Sequence, residues 1–144
     1  MLKGIPKIIS PELLKILDEM GHGDEIIIAD GNFPAASIAQ RLIRADGHNV
    51  PELLDAILKL FPLDTYAPPV GIMQVVPGDP IKPTIWEEYR KIVKQYEPNW
   101  KDFESIERFK FYERAKGAYA VIATTESALY ANILLKKGVI KEAK

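Results

Sequence analysis

Apolar positions along the chain alternate between two spacings, and the switches mark its elements. Leu13, Leu14, Leu17 and Met20 recur at helical spacing. Ahead of them, Ser10-Pro11-Glu12 supplies an N-cap serine, a proline at the first helical position and an acid in the first turn. A helix therefore starts there, with Gly21 as its expected stop. Glu25 to Asp30 carries the β-branched run Ile26-Ile27-Ile28, which needs cover on both faces and reads as a buried strand. After a Gly31-Asn32-Phe33-Pro34 loop, Ala35 to Gln40 predicts a short helix and Arg41 to Ala45 a second strand. Pro51 to Leu60 is helical by its Leu53, Leu54, Ile57, Leu58 and Phe61 stripe. Val70 to Val76 is a strand between Pro68-Pro69 and Pro77-Gly78. Thr84 to Tyr96 predicts a third long helix, Ile106 to Lys116 a shorter fourth, and Ala118 to Thr124 and Tyr130 to Leu135 the last two strands.

Strands and helices alternating in this way predict an α/β fold: a single domain over 1–144 with a largely parallel central sheet flanked by helices. The eleven prolines are scattered and form no tether between domains. In such sheets a ligand sits at the carboxyl ends of the strands, which directs attention to Asp30 and to the segments around Arg108 and Tyr130.

Composition then removes whole classes of function. With 19 Lys and Arg against 20 Asp and Glu, and no basic block, the chain lacks the positive excess that nucleic acid requires. No cysteine is present, so disulfides, thiolate nucleophiles and cysteine zinc sites are excluded. No apolar run approaches the ~20 residues that span a bilayer, and the first residues carry no secretory pattern. A soluble, cytoplasmic protein is expected. Dinucleotide, P-loop and nucleophile-elbow glycine motifs are all missing.

Few residues remain to carry chemistry. His22 lies between Gly21 and Gly23, where the backbone is free to turn and a ligand can approach closely. The same position also suits a turn histidine that caps the preceding helix. His48, in Asp46-Gly47-His48-Asn49, reads as an exposed turn. A metal shared by His22, Asp24 and Asp30 fails on distance, because a strand rising ~3.3 Å per residue sets the two carboxylates roughly 20 Å apart. Asp24 is instead expected to pair within the turn. Asp30, directly after a buried strand and before Gly31, offers a carboxylate at the sheet's mouth, or an Asx turn, or both. Arg108 falls within an aromatic and basic stretch that reads as an amphipathic helix, and Tyr130-Ala131-Asn132 opens a buried strand.

From Leu2-Lys3-Gly4-Ile5 to Lys136-Lys137-Gly138-Val139, nearly the whole chain resembles the ribose pyranase/fucose mutarotase family. Gly21-His22-Gly23-Asp24, Asp30, Phe33-Pro34, Ile43-Arg44-Ala45-Asp46-Gly47, Tyr66-Ala67-Pro68-Pro69 and Arg108-Phe109-Lys110-Phe111-Tyr112-Glu113-Arg114-Ala115 carry the resemblance by their order and joint presence. Asn32-Phe33-Pro34, Phe111-Tyr112-Glu113-Arg114 and Lys136-Lys137-Gly138 resemble the fucose branch. Ala131 departs from it, since that branch usually has glycine there, and its methyl is expected to narrow the pocket beside the backbone.

The resemblance implies a cofactor-independent isomerase with His22 as the catalytic acid/base. Asp30, Arg108, Tyr130, Ala131 and Asn132 would be the sugar-binding residues. It also implies a ring-shaped homo-oligomer, commonly a decamer of two pentameric rings, with sites near subunit boundaries. The chemistry suits a histidine: opening a cyclic hemiacetal moves protons and no electrons, and imidazole takes both protonation states near neutrality. Ribose pyranase activity, a non-catalytic monosaccharide-binding module and a metal-dependent isomerase stand as the alternatives.

Overall fold

The computed structural model describes residues 1–142. Helix α1 spans Pro11–Glu19, and its Ser10 side chain accepts from the Leu13 amide at 3.1 Å, as an N-cap should. Strand β1 is Glu25–Ala29, α2 Ala35–Ile38, β2 Leu42–Ala45, and α3 Val50–Leu58. Helix α3 opens with a capping box between Asn49 and Glu52. Strand β3 is Val70–Met73, α4 Ile85–Tyr96, β4 Glu104–Ile106, α5 Arg108–Gly117, β5 Ala120–Thr124, and β6 Ile133–Lys136.

The six strands form one sheet in the order β2-β5-β1-β6-β3-β4. All run parallel except β6, which is antiparallel to both β1 and β3. The largely parallel sheet expected from the alternation is therefore present, with one reversed strand in its middle. Alternation along β1 divides the core. Ile26 and Ile28 face one layer, with Leu13 of α1, Leu53 of α3 and Tyr89 of α4. Ile27 and Ala29 face the other, with Ala35 of α2 and Phe111 of α5. Burial on both faces explains why the strands read as unbroken apolar runs.

Four details differ from the sequence reading. Strand β4 was not expected. Its Glu104-Ser105-Ile106 is too short and polar to register as a strand, yet it pairs with β3 at the sheet edge. Strand β3 stops at Met73, because the Val76 amide is taken by the Tyr130 hydroxyl instead of a ladder. Strand β6 begins at Ile133, since Tyr130 adopts φ 56° and cannot extend a strand. Helix α1 does not end on a left-handed Gly21. Its last carbonyls, Leu17 and Met20, accept from the Lys137 ammonium at 2.6 and 2.5 Å, and the left-handed turn residue is Gly23, with φ 87°.

Candidate functional site

The carboxyl ends of β1, β3 and β4 and the entry to β6 surround a cavity of about 260 Å³. Asp30 enters from the end of β1, Arg108 from the first turn of α5 just past β4, and Tyr130 and Asn132 from the segment leading into β6. Four of the residues expected to bind ligand thus meet where an open α/β sheet places its ligands.

Asp30 is 6% exposed. One carboxylate oxygen accepts from the Asn32 amide at 3.0 Å, the Asx turn foreseen for this loop. The other lies 3.4 Å from the Ala131 amide. Burial pushes the Asp30 carboxyl above the usual carboxylate range, and the Asn32, Ala131 and Phe33 amides offset only part of that effect. Its own amide donates to the Asn132 side-chain oxygen at 2.7 Å, which leaves the Asn132 amide nitrogen for a ligand.

Tyr130 is the one non-glycine residue with positive φ among the described residues. Neighbours hold that strained conformation from several sides. Trp86 Nε1 donates to the Tyr130 carbonyl at 2.8 Å and the buried Tyr89 hydroxyl to the Ala131 carbonyl at 2.7 Å. The Tyr130 hydroxyl donates to Asp79 at 2.7 Å and accepts from the Val76 amide at 3.2 Å. The bond to Asp79 is the main reason the phenol is harder to ionise than usual. Its proton is directed at Asp79, so Tyr130 presents an acceptor to a ligand.

Ala131 contributes only backbone. Its side chain is fully buried in the layer with Leu53 and Tyr89, so its methyl faces the core and does not narrow the cavity. Arg108 is exposed, with its guanidinium over the rings of Phe109 and Tyr112. Phe33, Met73, Val76 and Leu129 form the apolar part of the cavity wall. Asp79 and Tyr112 also line it and escaped the sequence reading, because Pro77-Gly78-Asp79-Pro80 looked like turn punctuation and Tyr112 like an ordinary helix residue.

His22 does not join this cavity within the chain. It precedes β1 and Asp30 follows it, so the strand itself, ~16 Å over five steps, separates them. The imidazole lies at the amino end of the parallel strands, half exposed. There its Nε2 is 3.0 Å from Asp64 Oδ1 and its ring 5.4 Å from that of Tyr66. Burial would raise the Asp64 carboxyl, but bonds from His22 and from the Tyr66 and Thr65 amides outweigh it and hold Asp64 below its ordinary range. Asp64 was missed, because 42 residues separate it from His22 and no local pattern links them. Asp24 pairs within its turn, accepting from the Gly21 amide at 2.7 Å. No three His, Asp or Glu side chains converge as a metal cluster among the described residues.

The chain is similar over nearly its whole length to known proteins. Residues 3–140 match the RbsD / FucU transport protein family. The fucose mutarotase of Danio rerio is 52% identical over 146 residues, covering 97% of this chain and 95% of that protein. The fucose mutarotase of Streptococcus pneumoniae, solved in complex with L-fucose, superposes with a TM-score of 0.93 at 56% identity, covering 97% of this chain and all of that one. FucU from Bifidobacterium longum superposes with a TM-score of 0.94 at 55% identity, covering 96% and 100%. The chain belongs to the RbsD / FucU transport protein family.

Proposed function

We propose that this chain is an isomerase that interconverts the alpha and beta anomers of L-fucose or a closely related monosaccharide. The observation that carries the reading is the cavity at the carboxyl ends of the strands. It brings together a buried carboxylate (Asp30), a guanidinium (Arg108), a phenol (Tyr130) and an amide (Asn132) around a volume suited to one sugar ring. Asp30 and the Tyr130 oxygen accept from sugar hydroxyls. Arg108 and the Asn132 amide nitrogen donate to them, and Ala131 fixes Asp30 through its backbone amide. Met73, Val76 and Leu129 give the apolar C6 methyl of a 6-deoxy sugar a wall to rest on. The similarity to a fucose mutarotase solved with L-fucose supports that choice of sugar.

His22 is the acid/base in this reading, and it comes from an adjacent copy of the chain. One proton leaves the anomeric hydroxyl and one arrives at the ring oxygen. The bond between C1 and the ring oxygen breaks to give the open aldehyde, rotation presents its other face, and closure reverses both transfers. Positioned acid/base catalysis gives on the order of a hundred- to ten-thousand-fold, enough for a reaction that already proceeds in water. Delivery of His22 in trans requires a homo-oligomer, and a decamer of two pentameric rings is the assembly proposed. Phe109 and Leu129, exposed beside the cavity mouth, and Tyr66, exposed beside His22, are apolar surface such contacts would cover. No helix among the described residues is long and apolar enough to cross a membrane, in keeping with the cytoplasmic location proposed here.

Saturation-transfer NMR on L-fucose, with D-ribose alongside, tests the proposal. Wild type should accelerate anomer exchange of L-fucose more than exchange of D-ribose. His22→Ala should fold and bind sugar but lose about a hundredfold or more of the rate. Exchange at the wild-type rate in a folded His22→Ala variant would defeat the assignment of His22.

A further inference from the structure

Building on the sugar-binding role proposed above for Tyr130, we infer that Asp79 sets the specificity of the cavity. It holds the proton of the Tyr130 hydroxyl, so the phenol can only accept, and the cavity selects sugars that present a hydroxyl donor at that point. A phenol oxygen has one proton to give and lone pairs to accept with. Tyr130 donates its proton to Asp79 Oδ2 at 2.7 Å, and the Val76 amide donates to the same oxygen at 3.2 Å. What remains for a ligand is a lone pair. Arg108, the cation lining the same cavity, lies over the rings of Phe109 and Tyr112, which leaves that lone pair to the sugar.

Both partners of the hydroxyl come from one tight turn. Val76-Pro77-Gly78-Asp79 has proline at its second position, and Gly78 at its third with φ 92°. The Asp79 amide closes it by donating to the Val76 carbonyl at 3.0 Å. These are the features of a type II turn, whose third residue needs the positive φ that glycine takes freely. Its first and last residues are the two that meet the phenol. The Asp79 side chain is in turn fixed by its own loop. Oδ1 accepts from the Ile81 amide at 3.1 Å, an Asx turn over Pro80. Both carboxylate oxygens of Asp79 are therefore committed as acceptors, one to the backbone and one to Tyr130.

That double commitment fixes what an isosteric amide would do. Asp79→Asn has a single side-chain oxygen, and the Ile81 amide claims it. The amide nitrogen then faces Tyr130 and donates to the phenol oxygen, as the Val76 amide already does. With donors on that side, the phenol's own proton turns toward the cavity. The shape of the site stays the same and its polarity reverses: Tyr130 becomes a donor to the sugar. Asp79 thus acts through Tyr130, as a positioning residue for a proton, and the requirement for a donor hydroxyl on the sugar follows from it.

Calorimetric affinities for L-fucose and for analogues in which each ring hydroxyl in turn is replaced by fluorine test this. Fluorine accepts weakly and cannot donate. Wild type should bind the analogue fluorinated opposite Tyr130 about tenfold or more weaker than L-fucose, the size of one lost hydrogen bond. Tyr130→Phe identifies that analogue, because its penalty should vanish there. Asp79→Asn should cut the same penalty to about threefold or less, since the phenol can now donate to fluorine, and leave the penalties at other positions within about twofold. A merely structural role for Asp79 would weaken every sugar alike and leave the ratios as in wild type. Asp79→Ala, which frees the phenol's proton to turn, should cut the penalty too, and decides the matter if Asp79→Asn does not fold. A wild type with no penalty that depends on Tyr130, or a penalty undiminished in the folded Asp79 variants, would overturn the inference. A wild type that neither binds nor exchanges L-fucose defeats the proposed function itself. One that does both, beside an undiminished penalty, defeats only the role of Asp79.

Discussion

In the sugar-binding role proposed for it, Asp30 sets function against stability in one side chain. Its burial favours the neutral carboxyl, yet a sugar hydroxyl needs an acceptor. A group whose folded pKa is raised contributes its stabilisation fully below the unfolded value, near 3.8, and loses it as pH rises through the folded value. Asp30→Asn has no such titration. Thermal unfolding followed upward from about pH 4 should therefore show wild type losing ground to the variant. L-fucose affinity measured by calorimetry should meanwhile fall tenfold or more in the variant, since a hydrogen bond to a charged group is worth about 1.5–3 kcal/mol. At this scale the sequence was legible where partners are local. The Asx turn of Asp30 and the turn pairing of Asp24 follow from their neighbours along the chain. The Asp64 contact to His22 and the Asp79 contact to Tyr130 depend on tertiary packing, and no local spacing encodes them.

Among the elements, those with a strong period and a cap were readable. Helices α1, α3 and α4 and strands β1 and β5 announce themselves by apolar spacing, with Ser10 and Asn49 as caps. Strand β4 did not, because three residues at a sheet edge carry too little pattern. The approach to β6 was misread as strand for a physical reason. Tyr130 is an ordinary strand former by side chain, and four hydrogen bonds to Trp86, Asp79, Val76 and the adjoining Ala131 carbonyl override that preference. Tyr130→Phe keeps the aromatic ring and the backbone bonds but deletes both hydroxyl contacts. The segment from Val76 to Asp79 should then open more readily. Amide exchange at Val76 should accelerate about three- to tenfold, the equivalent of one lost hydrogen bond, with the amides of β1 and β5 unchanged. Unaltered exchange at Val76 would mean that the phenol does not restrain this loop.

For the whole molecule, the decisive fact is that the sheet separates the cavity from the histidine proposed to act on its ligand. The ligand cavity opens at the carboxyl ends of the parallel strands, and the His22–Asp64 pair sits at their amino ends. His22 and Asp30 both stand out along the sequence, but their proximity there conceals a full strand length between them. If neighbouring copies complete each other's sites, two impaired variants must rescue one another. His22→Ala subunits retain an intact cavity and Asp30→Asn subunits an intact histidine. In a mixed ring a site works only when a His22→Ala cavity meets an Asp30→Asn histidine, and random placement at equal amounts makes about a quarter of the sites complete. With L-fucose well below KM, where the weakened affinity of Asp30→Asn limits its rate, unfolding the two variants together and refolding them should restore about a quarter of wild-type exchange, while either variant refolded alone stays at or below about a tenth. A double variant carrying both substitutions, refolded with wild type, checks the counting, because only wild-type neighbours then form a working site and the same quarter is expected. Recovery at the level of the separate variants would place His22 and the cavity in service of one chain, and the geometry of the strand would have to be bridged in some other way.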